Sequence, residues 1–393
     1  MFGALLLRQN IGHSISPGSA DVTAALDTTR ARPTTRTNDN AIANWLFVVA
    51  GLVFAMVVLG GVTRLTESGL SIVDWEPFVG TIPPLSEADW HALFDRYKQY
   101  PEYQKVNFGM TLEGFKEIFW LEYFHRLLGR AIGVVFLVPF LYFLVRGRIR
   151  KSLAPKLAFI FVLGGLQGVL GWYMVKSGLV DRPDVSPYKL AAHLGLAAII
   201  YLAMIWVALG LRARRPLAAP MARHQHRVVF GALALLVIAF ITLLAGAFVA
   251  GTDAGFAYNT FPDMEGQLVP ADLFIYQPAW RNFFESVPLV QLNHRLLGYL
   301  TVLGALLLFI ASGAWRRQSR LSLEARRVLL LVAGVALAQF ALGLSTLLLV
   351  VPIPLAAGHQ AGAMLLLTVL LWAVHALRLV PHGYAGEGAT RAA

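Results

Sequence analysis

Eight long apolar segments constrain this chain more than any other feature of it. They run at about 43–63, 117–145, 156–176, 188–211, 228–251, 286–313, 328–350 and 354–378. Each is near or above the roughly 20 residues that a helix needs to cross the hydrocarbon, and inside lipid only a helix or a closed barrel satisfies the backbone. The expected fold is an all-α polytopic membrane protein with eight transmembrane helices. Composition points the same way. Of 393 residues 57% are apolar and 14% charged, whereas soluble domains carry about 25% charged residues. Cys is absent, which removes disulfides, thiolate metal ligands, iron–sulfur clusters and Cys-linked haem.

The net charge of +11 is explained by topology, with no role for nucleic acid. Arg146, Arg148, Arg150, Lys151 and Lys156 lie between the second and third segments, and Arg212, Arg214, Arg215, Arg223 and Arg227 between the fourth and fifth. Arg316, Arg317, Arg320, Arg326 and Arg327 lie between the sixth and seventh. Basic residues in short loops mark the cytoplasmic side, so both termini are expected there. Residues 1–42 read as a cytoplasmic tail, 212–227 as a cytoplasmic linker and 379–393 as a second tail. Asp74, Asp181, Asp184, Asp253, Asp263 and Asp272 fall on the opposite, outer side. A multi-pass protein of a bacterial inner membrane, in contact with membrane lipid, is the expected setting.

The segments repeat. His125-Arg126-Leu127-Leu128-Gly129 recurs as His294-Arg295-Leu296-Leu297-Gly298, displaced by 169 residues. In the same order Gln167 matches Gln339 at 172, His193 matches His359 at 166, and Gly69 matches Gly255 at 186. Helices one to four (43–211) therefore pair with five to eight (228–378) as two pseudo-symmetric four-helix bundles. An even number of helices per half gives both halves one orientation, related by an axis along the membrane normal.

Four of the ten histidines sit within these spans as two repeated pairs. At 1.5 Å rise per residue each lies roughly 8 to 12 Å inside the outer end of its helix. Intramembrane ionisable groups are costly, and two facing imidazoles at one depth suit bis-His ligation of a haem iron. Zinc fits less well, because two histidines leave its tetrahedral shell unfilled. His375 is a fifth, unrepeated case. Arg64, Arg126 and Arg295 are placed to pair with haem propionates or to snorkel to headgroups. Gly60, Gly61, Gly164, Gly165, Gly168 and Gly171 are expected to let helices approach closely.

The halves part at one position. Glu122 stands three residues before His125, and Gln291 three before His294. A carboxyl beside a haem can carry protons or stabilise positive charge; an amide can only hydrogen-bond. The N-terminal half is thus the candidate reaction site. Two outer loops, about 64–116 and 252–285, are long enough to cover a site. In the first, Ser86-Glu87-Ala88-Asp89 opens a short amphipathic helix carrying Trp90, Leu93, Phe94 and Tyr97. In the second, Phe274, Tyr276, Trp280, Phe283 and Phe284 suit either an interface belt or a lid.

These residues, together with Gly60-Gly61-Val62-Thr63-Arg64-Leu65-Thr66, Ser68-Gly69-Leu70-Ser71, Asp74-Trp75-Glu76-Pro77 and Gly80-Thr81-Ile82-Pro83-Pro84, make about residues 40–380 resemble the haem A synthase family in its proteobacterial and mitochondrial branch. The resemblance implies oxidation of the C8 methyl of haem O to the formyl of haem A for terminal oxidases. It implies His294 and His359 as ligands of a resident haem b, His125 and His193 at the substrate haem, and Glu122 as the essential carboxylate. It also implies supply by haem O synthase, the farnesyltransferase that makes the substrate. Some relatives carry a Cys pair in the first outer loop; this chain cannot use one. A dihaem b-type cytochrome passing electrons from quinol is the alternative, and a haem transporter a third. An electron acceptor and a homo-oligomeric assembly are the further partners expected.

Overall fold

The computed structural model describes residues 33–73, 79–179, 185–213, 223–319 and 321–379. The tail before residue 33, the motif residues 74–77, Asp181 and Asp184, the linker centre 214–222, Arg320 and residues 380–393 lie outside the described residues. The eight apolar segments are helices: α1 (Pro33–Leu65), α2 (Leu112–Val145), α3 (Ala154–Gly178), α4 (Pro187–Arg212), α5 (Arg223–Gly251), α6 (Val287–Ser312), α7 (Leu323–Leu348) and α8 (Ile353–Leu377). All eight are long and apolar enough to cross a membrane, as a multi-pass membrane protein requires.

Local chemistry sets the ends. Proline stands in the first turn of α3, α4, α6 and α8, where its missing N–H costs nothing and its φ is already helical. Thr111 and Ser322 cap α2 and α7 by accepting from the N–H groups of Gly114 and Ala325. Two helices start earlier than apolar patterning predicts. The first begins at Pro33, ten residues before the expected start at 43, and the second at Leu112. The added turns are polar, so hydropathy does not register them. Asp39 in the extended part of α1 pairs with Arg150 at 3.3 Å, tying it to the loop between α2 and α3.

Within the N-terminal half α1 packs on α2 and α4, and α3 on α2 and α4. The C-terminal half closes the same way, with α5 on α6 and α8, and α7 on α6 and α8. Between halves the contacts are α4 with α5, α8 with α1, and α4 with α8. Exchanging each helix for its repeat partner maps this set onto itself. A single apolar core runs through both halves, from Leu46, Val49 and Leu157 to Met364, Leu367 and Leu370. The halves are unequally filled: 6% of the apolar centre of α3 is buried, against 28% of its counterpart α7.

The longer of the two long loops builds a second core at that end of the bundle. A helix over Glu87–Tyr97 is capped by Ser86, whose hydroxyl accepts from Asp89 N while Asp89 accepts from Ser86 N. Those hydrogen bonds hold the Asp89 carboxyl below its ordinary range. Trp90, Phe94 and Tyr97 are buried against Phe115 and Phe119 on the first turns of α2, with Trp90 edge-on to Phe119 at 4.9 Å. The amphipathic helix is thus where the sequence predicts it, and its apolar face is covered by the protein's own α2.

Candidate functional site

The four repeated histidines each face a glycine on the neighbouring helix. A Cβ on Gly60 would lie 2.9 Å from Cε1 of His125, and one on Gly246 3.0 Å from Cε1 of His294. On the other side of each half, Gly171 stands 3.1 Å from His193 Cε1 and Gly343 2.5 Å from His359 Cε1 by the same measure. At Gly60 and Gly343 a Cβ would force the ring to shift, and at Gly171 and Gly246 it would press on the ring by a few tenths of an ångström, so glycine lets each ring lie close against the adjacent backbone. Gly60 to Gly246 keeps the displacement of 186, and Gly171 to Gly343 keeps 172. The repeat therefore consists of four His–Gly contacts.

Gln167 and Gln339 complete the second pair in each half. Gln167 Nε2 lies 3.1 Å from His193 Nδ1 and donates to His193 O at 3.0 Å; for Gln339 and His359 the distances are 3.0 and 2.8 Å. Each carboxamide also carries a buried Oε1 without a hydrogen-bond partner. A ligating histidine donates Nδ1–H and offers a bare Nε2. The Nε2 that faces Nδ1 is itself held by the histidine's own carbonyl, so each carboxamide ties the ring to its backbone. Nδ1 of His125 and of His294 are likewise buried and unpartnered, an expensive state inside lipid for groups with no further role.

The C-terminal pair has the spacing of axial ligands. The His294 and His359 ring centroids are 6.2 Å apart with planes at 87°. Two metal–imidazole bonds of about 2 Å each, with the half-width of each ring added, require about 6 Å. The separation of these two side chains is compatible with their holding one haem iron. His125 and His193 are close enough to act on each other electrostatically, but among the described residues no ring contact joins them. His375 packs edge-on to Trp206 at 5.5 Å and is buried in the general core, apart from both pairs.

Glu122 is 3% exposed and surrounded by donors. Its Oε2 accepts from Ser71 Oγ at 2.7 Å and Ile72 N at 2.8 Å, and its Oε1 from Arg126 Nε and Nη2 at 3.0 and 2.7 Å. Both carboxyl oxygens are thereby fully engaged by donors, two of them on a cation. At the matching place Gln291, 2% exposed, turns the polarity round. Its Nε2 donates to Ala254 O at 2.8 Å and to Ala257 O, while its Oε1 accepts from Arg295 at 3.2 Å. The displacement of 186 equates Ser68 with Ala254, Ser71 with Ala257 and Ile72 with Tyr258. A carboxylate thus comes with the Ser71 hydroxyl and an N–H donor; an amide comes with two alanine carbonyls.

The three arginines act on the chain itself. Arg126 Nη2 donates to Ile72 O at 2.6 Å and Arg295 Nη2 to Tyr258 O at 2.5 Å, so each His-Arg pair clamps the turn that follows the first helix of its half. Arg64 pairs with Asp253 Oδ1 and Ala250 O, both at 2.9 Å, joining the ends of α1 and α5. Of the expectations about small residues one holds and one changes. Gly61 faces Gln360, a residue of the other half whose Nε2 donates to Val57 O at 2.7 Å. Gly164, Gly165 and Gly168 have no atom within 4 Å of where a Cβ would stand; they open space and bring no helix close. Of the second-loop aromatics, Phe284 packs on Tyr188 and Phe248, whereas Phe274 and Trp280 stay exposed.

Sequence reasoning missed Glu102, the Ser71–Glu122 contact and the glycines Gly246 and Gly343. For the glycines the signal was present as repeat displacements. Glu102 has no repeat partner and gave none.

Comparison with known proteins agrees with this arrangement. Residues 43–371 match the family model described as cytochrome oxidase assembly protein. The protein named "Heme A synthase" in Nitrosospira multiformis is 55% identical over 338 residues, which cover 86% of this chain and 93% of that protein. The proteins of the same name in Nitrosomonas eutropha and Parvibaculum lavamentivorans are 51% and 50% identical, covering 85% and 87% of this chain and 93% and 96% of their own lengths.

Proposed function

Because the chain belongs to the haem A synthase family, we propose that it is an oxidoreductase that converts the C8 methyl of haem O to the formyl of haem A. The observation that carries the division of labour is the exchange of Glu122 with Ser71 for Gln291 with Ala257 on an otherwise repeated scaffold. The half with the carboxylate is assigned to the substrate haem, near His125 and His193. The half with the amide is assigned to a resident haem b held by His294 and His359. A haem b supplies one-electron redox chemistry when bound.

The chain's own residues do the rest. Glu122, held by Arg126, Ser71 and Ile72 N, keeps its carboxyl in one orientation beside the substrate site, where it serves to take a proton or to stabilise positive charge that develops during oxidation. Gln167 and Gln339 fix the imidazoles behind their rings. Among the three arginines assigned to propionates, Arg295 retains a buried Nε without a partner; Arg64 and Arg126 serve only by exchanging Asp253 and Glu122. The open face at Gly164, Gly165 and Gly168 gives room for a farnesylated substrate delivered through lipid by haem O synthase. The reaction side is assigned to the outer face of the bacterial inner membrane, with both termini cytoplasmic.

The test is extraction of the haems from purified, detergent-solubilised protein, separated by chromatography with absorbance and mass detection. Haem B accompanied by haem O, hydroxylated intermediates or haem A is expected. Haem B alone at two per chain would overturn the assignment in favour of an electron-transfer cytochrome.

A further inference from the structure

Gln360 follows His359 on α8 and reaches across the boundary between the halves. Its Nε2 donates to Val57 O on α1 at 2.7 Å, a carbonyl that the helix already offers to the N–H of Gly61. The carboxamide is seated where Gly61 has no side chain: a Cβ there would stand 2.6 Å from its Oε1, 2.9 Å from Cδ and 3.0 Å from Nε2. The neighbouring glycine serves the other half. Gly60 backs His125, with its Cβ position 2.9 Å from the ring Cε1. One turn of α1, residues 57–61, is therefore in contact with the neighbour of His359 and with His125 itself.

The repeat does not account for this bond. Displacements of 166 and 186 equate Gln360 with Leu194, Val57 with Leu243 and Gly61 with Ala247, so the matching crossing of α4 on α5 is apolar at all three places. Leu243 and Ala247 are buried, and Leu194 packs on the same core. Apolar packing thus suffices to join the halves at that crossing, whereas a carboxamide inside lipid costs free energy unless it is hydrogen-bonded. Of the two crossings, α8 on α1 alone uses a directional bond, and it runs from the resident pair to the substrate pair. Tyr201 and Thr368 share another hydrogen bond between the halves, 2.8 Å long, but they lie eight residues from His193 and nine from His359.

We propose that Gln360, seated on Gly61, is a positioning residue that couples the two histidine pairs, so that filling the substrate site is registered at the resident one. A displacement of α8 that accompanies ligation at His359 is carried by the carboxamide to Val57 O, and Gly60, in the same turn, passes it to the His125 ring. Coupling of this kind is reciprocal: whatever filling the substrate site does to the resident site, the state of the resident site does to substrate binding. The inference rests on the proposed reading of the two histidine pairs as haem sites.

The experiment uses the full-length protein loaded with haem b, and as probe haem O carrying gallium(III) in place of iron, which is redox-silent. The reduction midpoint of haem b is measured by spectroelectrochemistry with the probe absent and bound. In wild type the probe should shift that midpoint by about 59 mV, the equivalent of a tenfold coupling for one electron. Gln360→Leu, which copies Leu194, should keep haem b and reduce the shift to about 20 mV or less, roughly a twofold coupling. Gly61→Ala, which displaces the carboxamide, should also reduce it, whereas Tyr201→Phe, which removes the other hydrogen bond between the halves, should leave it whole. A full shift in Gln360→Leu, no shift in wild type with the probe bound, or equal loss in Tyr201→Phe would each overturn the coupling role. Should Gln360→Leu lose haem b, Gly61→Ala decides: a full shift there rejects the proposal, and loss of haem b there as well would make Gln360 a folding residue and reject it too. Wild type that holds no haem, or that holds haem b and takes up no probe, would instead overturn the reading of the two pairs as haem sites.

Discussion

On the long-loop side of the N-terminal half a carboxylate collects donors; at the same place in the C-terminal half an amide donates to carbonyls. Around these two groups nearly everything else repeats: the histidines, the glycines behind them, the glutamines, and the arginines that clamp Ile72 O and Tyr258 O. The left-handed residues that end the first helix of each half repeat too, Glu67 at φ 52° and Asp253 at φ 53°. A duplicated scaffold has kept its histidine–glycine and glutamine–histidine contacts and changed the polarity of one contact. The second difference lies on α3 and α7. Gly164, Gly165 and Gly168 correspond to Ala336, Leu337 and Phe340 at a displacement of 172, and Phe340 packs on Tyr299 and Phe261 at 5.7 and 6.4 Å. Ala336 is buried and Phe340 packs inward, while Leu337 is exposed, so the C-terminal half is filled at two of the three places where the N-terminal half is open. That is the contrast expected between a permanent cofactor and a substrate that must enter and leave.

The sharpest way to break the comparison is to make the halves alike. Glu122→Gln sets its amide hydrogens against donors in either orientation, Ser71 Oγ and Ile72 N on one side or the Arg126 guanidinium on the other, and removes the charge that Arg126 grips. Conversion of haem O should fall by about 10²- to 10⁴-fold, with the haem b absorbance unchanged. Extracted-haem chromatography measures the first and a reduced-minus-oxidised spectrum the second. Equal loss of both would mean that Glu122 holds the fold and carries no special role in the N-terminal half.

Next in size is the fit of the rings. Gly343→Ala would put a methyl 2.5 Å from His359 Cε1, with the His294 ring fixing the other side. Overpacking of this kind costs about 1–3 kcal/mol, and here the strain falls on a ligand. Haem b occupancy should drop several-fold. Gly164→Ala, which meets no atom within 4 Å, should leave occupancy and thermal midpoint as they are. If the two variants behave alike, the ring–glycine contact does not set the ligand geometry.

How much of this was legible beforehand follows from the physics of each signal. Span number, the order of the repeat and the four histidines were readable, because lipid forces continuous apolar helices and leaves an intramembrane His conspicuous. The helix over Glu87–Tyr97 was readable from the Ser86 cap and the spacing of Trp90, Phe94 and Tyr97. Helix starts were not, since the polar turns before residue 43 and before residue 117 carry no hydropathy signal. Glycines looked like close-packing sites throughout; only the partner tells that Gly60 backs a histidine and Gly168 backs nothing. Arg126 and Arg295 followed histidines and so suggested propionates, but which carbonyl a guanidinium reaches is decided by a loop some fifty residues away in the first half and about thirty-five in the second. Glu102 was silent, because its burial depends on how the loop folds back onto α2.

Filling the open half tests the second contrast. Gly168→Phe copies Phe340 into the N-terminal half. It should lower the amount of haem O or haem A that co-purifies, several-fold, and raise KM for haem O with haem b retained. Because Gly168 has no neighbour within 4 Å, the added ring has room and the thermal midpoint should hold. Unchanged co-purification would place the substrate somewhere other than beside α3.

The smallest effect is expected at the seam. Arg64 and Asp253 form a half-exposed pair, with side chains 28% and 59% accessible, and exposed pairs contribute about 0–1 kcal/mol. Arg64 also donates to Ala250 O, a bond that water can replace at this exposed end of α5. Arg64→Ala should therefore shift the thermal midpoint by a degree or so at most and leave haem b content intact. The same variant separates the two roles open to this side chain. A guanidinium that only bridges α1 and α5 can be lost without spectral change, whereas one that leaves Asp253 to bind a propionate would weaken retention of a haem when removed. A fall in the retained haem of one half, at constant stability, would assign Arg64 to that half and show that its pairing with Asp253 is the state of the protein before haem binds.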